Sequence, residues 1–125
     1  MALKTISGTC ELTTSEFTPT ATAPVIQNEN GVTLLDIDLE ESGVAYSIPG
    51  GATAFVKFVY EERGIDTAEV EMTAAAGNLS VELPLALTER SGSALAIVTL
   101  HEGDDLIVAC TIPIPVRAGG INYGT

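Results

Sequence analysis

Seventeen carboxylates, one histidine and two cysteines are the side chains of this 125-residue chain with chemistry to offer. General acid–base catalysis needs a base held by an orienting group beside a nucleophile. His101 is followed by Glu102, Asp104 and Asp105, which are candidate orienters, but no serine or cysteine stands in a recognisable nucleophile motif. His101 therefore reads as a residue beside a hairpin turn rather than as a base. Asp36-x-Asp38 with Glu40 and Glu41 has the oxygen ligands that calcium favours. On a strand, Asp36, Asp38 and Glu40 would project from one wet face about 7 Å apart, too far for a compact cage. Gly103-Asp104-Asp105 is a weaker form of the same idea, and all of these read as solvated carboxylates. Cys10 and Cys110 lack CxxC spacing and have one histidine to join them, which excludes zinc on ligand count. They read as small apolar side chains, with a disulfide between them left open. Gly50-Gly51 and Gly119-Gly120 lack the Lys-Ser/Thr of a phosphate loop. Phe17, Tyr46, Phe55, Phe58, Tyr60 and Tyr123 are all the aromatics, with no tryptophan, so a sugar platform has little to build from. The expectation is no catalytic residue, no cofactor, no metal and no enzyme.

The elements that must position these residues follow from composition and period. At 12.9 kDa the chain fits one domain. A mean hydropathy of +0.33 with 18% charged residues argues for a folded chain despite a net charge of −12. No apolar run approaches the roughly 20 residues of a membrane helix. The opening MALKTISGTC has one lysine and no long apolar stretch, unlike a secretory signal. Five basic groups cannot replace a phosphate counterion atmosphere, so neither nucleic acid nor membrane is expected as a partner. The two cysteines without a signal suggest synthesis in a reducing cytoplasm. The acidity reads first as solubility and second as a face for a basic partner or cations.

Residues 1–24 differ from the rest. Thr13, Thr14, Ser15, Thr18, Pro19, Thr20, Thr22 and Pro24 favour extended backbone. The segment reads as an extended arm with Phe17 as its anchor, or as an ordinary first strand and loop. From residue 25 the period is two. Leu35, Ile37 and Leu39 alternate with Asp36, Asp38 and Glu40, and Ser42-Gly43 turns the chain. Val56, Phe58 and Tyr60 share one face of a long strand, with Phe55 and Val59 on the other. A strand apolar on both faces implies burial on both, by a partner or by the arm. A short helix is expected over residues 85–90, ending at Gly92. Residues 94–102 and 105–116 form the last two strands, with Leu106, Val108, Cys110, Ile112, Ile114 and Val116 as one apolar face. Pro113 and Pro115 place the second half of that strand at a sheet edge. The expected core is Leu35, Ile37, Val56, Phe58, Val70, Val81, Leu83, Ile97, Val108, Cys110 and Ile112. Residues 118–125 are a Gly-rich flexible exit or linker.

About seven short strands with regular turn signals predict an all-β chain, an antiparallel sandwich of immunoglobulin-like type over residues 25–117. The order of segments resembles the N-terminal immunoglobulin-like domain of phage baseplate upper proteins and related head- or tail-fibre anchors. The residues that carry this are Ile-Gln-Asn-Glu-Asn at 26–30, the alternating strand at 32–39, and Gly-Gly-Ala-Thr-Ala-Phe-Val-Lys-Phe at 50–58. Gly-Asn-Leu-Ser-Val-Glu-Leu-Pro at 77–84, Leu-Thr-Glu-Arg-Ser-Gly at 87–92 and Thr-Ile-Pro-Ile-Pro-Val at 111–116 complete it. The resemblance implies a virion structural protein, made in the host cytoplasm, that anchors a fibre or decorates a capsid or baseplate. Its implied partners are capsid, baseplate or fibre subunits and further copies of itself, a trimer above all. Such proteins continue into a linker and distal fibre domain, whereas this chain stops at Thr125, as a fragment or as a compact accessory protein. Phe17, Phe55, Val59 and Tyr123 are the expected assembly contacts. The alternative is a carbohydrate-binding or adhesion module of a surface system.

Overall fold

Alternating side chains make strands with two distinct faces, and here those strands build two layers. The computed structural model describes residues 3–60 and 65–119. In chain order they form β1 (Lys4–Glu11), β2 (Glu16–Thr22), β3 (Val25–Ile26), β4 (Thr33–Glu41), β5 (Val44–Ala45) and β6 (Thr53–Tyr60). There follow β7 (Ile65–Asp66), β8 (Val70–Glu71), β9 (Thr73–Ala75), β10 (Asn78–Glu82), α1 (Leu85–Thr88), β11 (Gly92–Glu102) and β12 (Asp105–Arg117). The first sheet runs β2-β1-β4-β10-β9 with β5 added to β4. The second runs β3-β12-β11-β6-β7 with β8 added to β6. The chain is thus nearly all β, with twelve strands among the described residues where about seven were expected. Both sheets are mixed rather than antiparallel, because β1 runs parallel to β4 and β12 parallel to β3. Period two reports which face a residue takes and is silent on strand direction.

Residues 4–22 are strands of the first sheet rather than an arm. β1 lies between β2 and β4, in register with β4 from Lys4↔Thr33 to Glu11↔Glu40. The threonine-rich stretch is the wet edge strand β2, with Pro19 at the irregularity between Ser7 and Gly8. Phe17 turns inward over Gly8, where an added Cβ would lie 2.5 Å from its ring. Glycine is required there by that close approach.

The two sheets bury Leu35, Ile37, Leu79, Val56, Phe58 and Ile112 between them. Cys10 and Cys110 meet in this interior and are joined by a disulfide, which replaces the reading of two separate apolar side chains. Leu83 joins the expected core, while Val70 and Val81 pack against it half-buried. Two expected core residues face outward. The inner face of β11 is Ala94, Ala96, Val98 and Leu100, so Ile97 lies on the outer face. In β12 the register to β11 shifts at Ala109, which inserts one residue and reverses the alternation. Val108 is 44% exposed as a result, and Cys110, Ile112, Ile114 and Val116 point inward. Beyond β11, β12 is bordered by β3 at Val116 and Arg117, which leaves residues 111–115 with Pro113 and Pro115 on a sheet edge, as expected.

The Ile-Gln-Asn-Glu-Asn segment ties the lower end together. The Gln27 N–H donates to Arg117 O (2.8 Å), and its side-chain amide donates to Glu89 O (3.1 Å). The Gly119 N–H donates to Gln27 Oε1 at 3.1 Å, and the Asn28 N–H to Thr88 O at 2.7 Å. Lys4 Nζ bonds Glu29 at 2.8 Å. Burial pushes the Glu29 carboxyl up, but that ammonium and the Ile26 N–H outweigh it and hold the group below its ordinary value. The short helix appears as α1, beside the phenol of Tyr60, which meets the carbonyls of Leu87 and Arg90. Gly92 (φ +137°) opens β11 under the Tyr60 ring.

Candidate functional site

The outer face of the second sheet departs from the wet-face rule. Three adjacent strands, β6, β11 and β12, set their outward residues in cross-strand rows. Val59, Leu95 and Pro113 form one row, and Lys57, Ile97 and Thr111 the next. Phe55, Thr99 and Val108 follow, then Thr53, His101 and Leu106. Phe55, Val59, Leu95 and Ile97 are half-buried, while Leu106 is 61% exposed. Rows repeat every ~7 Å along strands ~4.8 Å apart, so the apolar area is of order 300 Å², where patches on soluble chains become functional. The outward positions of these three strands carry no carboxylate, in a chain of net charge −12. They carry Lys57 and, at one end, Arg117. Two acids stand at the margin beyond β6, Asp66 on β7 in register with Val59 and Glu71 on β8 in register with Phe55.

His101 belongs to this face. Its ring meets Phe55 edge-on, with centroids 5.4 Å apart. Its sequence neighbour Glu102 turns to the other side and accepts the phenol hydrogen of Tyr46 at 2.6–2.7 Å. The Tyr46 hydroxyl is pushed up to about 12, first by that bond and then by burial. The structure therefore separates His101 from one acid that sequence proximity offered as its orienter.

The first sheet's outer face is polar. Asn78 Nδ2 donates to Asp36 Oδ1 at 2.5 Å and to Asp38 Oδ1 at 3.1 Å, so these two carboxylates share one amide. At the top of that sheet, Glu11 accepts from the Thr13 hydroxyl (2.7 Å), the Ser42 N–H (2.8 Å) and the Gly43 N–H (2.9 Å). Those donors, the Thr13 hydroxyl foremost, pull its carboxyl down to about 2.

Of the four expected assembly contacts, Phe55 and Val59 share the outer face of β6. Phe17 does not join them, since its ring packs against Gly8 and the core, and Tyr123 lies outside the described residues. Leu95, Ile97, Val108 and Pro113 complete the face and were missed. A signal was present in β11, whose residues 94–98 are all apolar and so cannot all face one core. Phe58 and Tyr60 are buried, and Tyr46 is committed to Glu102, so the described aromatics form no exposed row.

No family model and no curated protein matches the chain. Among solved structures, its fold is similar to the N-terminal domain of phage TP901-1 ORF48. That likeness covers 94% of this chain and 99% of that domain, with a TM-score of 0.60 and 14% sequence identity.

Proposed function

We propose that this chain is a phage virion structural protein of the baseplate or fibre-anchor kind, non-catalytic and located in the particle. The observation that carries this reading is the fold shared with the phage TP901-1 domain over nearly the whole of both chains. The resemblance in segment order to phage baseplate upper proteins, from Ile-Gln-Asn-Glu-Asn at 26–30 to Thr-Ile-Pro-Ile-Pro-Val at 111–116, supports the same reading. In this reading the two-sheet body is an immunoglobulin-like module that holds a fibre or decorates a capsid or baseplate. Its partners are other virion proteins and further copies of itself, a trimer being the favoured stoichiometry.

The test is the protein's presence in particles. An antibody against the chain, applied to virions purified from its source, is expected to label them at a discrete position. Chain recovered from lysates and absent from purified particles would overturn the proposal. The alternative, a carbohydrate-binding or adhesion module, would instead show as saturable binding on a glycan array.

A further inference from the structure

We propose that the outer face of the second sheet is a self-association surface, covered by a second copy of this chain. The inference rests on the virion reading above for its biological setting, but its argument is one of charge and burial. A chain of net charge −12 repels its own copies at every surface that carries carboxylates. The face made by β6, β11 and β12 has none on its outward positions, and it holds Phe55, Val59, Leu95, Ile97, Leu106 and Val108. A basic partner would be drawn by carboxylates, so a face stripped of them forgoes that attraction. Stripping is an advantage when the incoming body is itself acidic, and a second copy meets that description. Sheets pack face to face about 10 Å apart through interdigitating apolar side chains, with no cavity or helix required. Arg117 on one copy and the marginal Glu71 on the other supply opposite charges for the rim.

Two signatures follow from this arrangement. Salt screens the repulsion between the acidic bodies, whose interaction fades over a Debye length of about 8 Å at physiological ionic strength. Association is therefore expected to strengthen from low to high salt. Truncating or charging a central apolar contact should weaken it on the hot-spot scale, about 30-fold or more.

Light scattering behind size exclusion, run on the full chain across concentration and salt, reads both. The expected result is a multimer favoured by salt, which Val108→Glu and Ile97→Glu convert to monomer while Thr9→Glu on the first sheet's outer face does not. Val108 is already 44% exposed, so its substitution keeps the test valid if Ile97→Glu misfolds. A wild-type far-UV circular dichroism spectrum and a cooperative melting transition for Val108→Glu establish that the fold is intact, since loss of association by itself lowers the melting temperature. A multimer indifferent to both substitutions would overturn this face as the contact. A wild-type chain that stays monomeric at every concentration and salt would overturn self-association through it. Neither failure bears on labelling of purified particles, which reports on the virion reading alone.

Discussion

Cys10 of β1 and Cys110 of β12 lie 6.0 Å apart at Cα and are joined by a disulfide that fastens the first strand of one sheet to the last strand of the other. The bond closes a loop of 100 residues, so it removes much of the freedom of the unfolded chain. The double substitution Cys10→Ala/Cys110→Ala is expected to cost about 2–5 kcal/mol. Urea unfolding of the variant against the oxidised protein measures it. An unchanged midpoint would contradict a bond closed in the folded protein.

Removal of residues 1–22 separates an arm from a structural strand. β1 supplies Ile6 and Cys10 to the core and the whole parallel partner of β4. The truncated chain is therefore expected to lose its cooperative unfolding transition by circular dichroism. An arm in the ordinary sense would leave that transition in place and abolish assembly alone.

How much of this was legible beforehand depends on what period two can encode. The faces of β4 and β6 were readable from Leu35, Ile37 and Leu39 and from Val56, Phe58 and Tyr60, and all are buried. The edge position of β12 was readable from Pro113 and Pro115, because a residue without an N–H cannot serve an inner ladder. The exposure of Val108 was not readable, since the reversal at Ala109 is a property of the pairing with β11. Nor was the place of β1, whose parallel pairing with β4 is a long-range choice that leaves no mark on either strand. Of the candidate face, Phe55 and Val59 stood out because their opposite face was already claimed by the core. The apolar run 94–98 marked both faces of β11 as apolar without saying which meets the core, so Leu95 and Ile97 could not be assigned to the outer one.

Gly8→Ala is expected to destabilise the fold by about 1–3 kcal/mol, the scale of overpacking. An added Cβ would stand 2.4 Å from the Thr18 carbonyl oxygen as well as against the Phe17 ring, so strand β2 itself must move. Thermal denaturation reads the loss. A neutral effect would mean that β2 is free to shift away from β1.

Acid should loosen the turn between β4 and β5 before it unfolds the sheets. The Glu11 carboxyl titrates at about 2 in the fold, below its ordinary 4.5. Its contribution is therefore complete above about pH 4.5 and is lost as pH falls through 2. Glu11→Gln should flatten the stability profile between about pH 4.5 and 2 and leave its slope at neutral pH unchanged. Melting temperature against pH for the two proteins is the measurement, and parallel profiles would refute the assignment.

Pro113 and Pro115 lie on the stretch of β12 whose only ladder partner among the described residues is β11, before β3 joins at Val116 and Arg117. A foreign strand laid along that rim would meet carbonyls with no matching donors at two successive outward positions. Open-ended growth by strand addition, the route to ribbons and amyloid, is thereby refused along this stretch of the β12 edge.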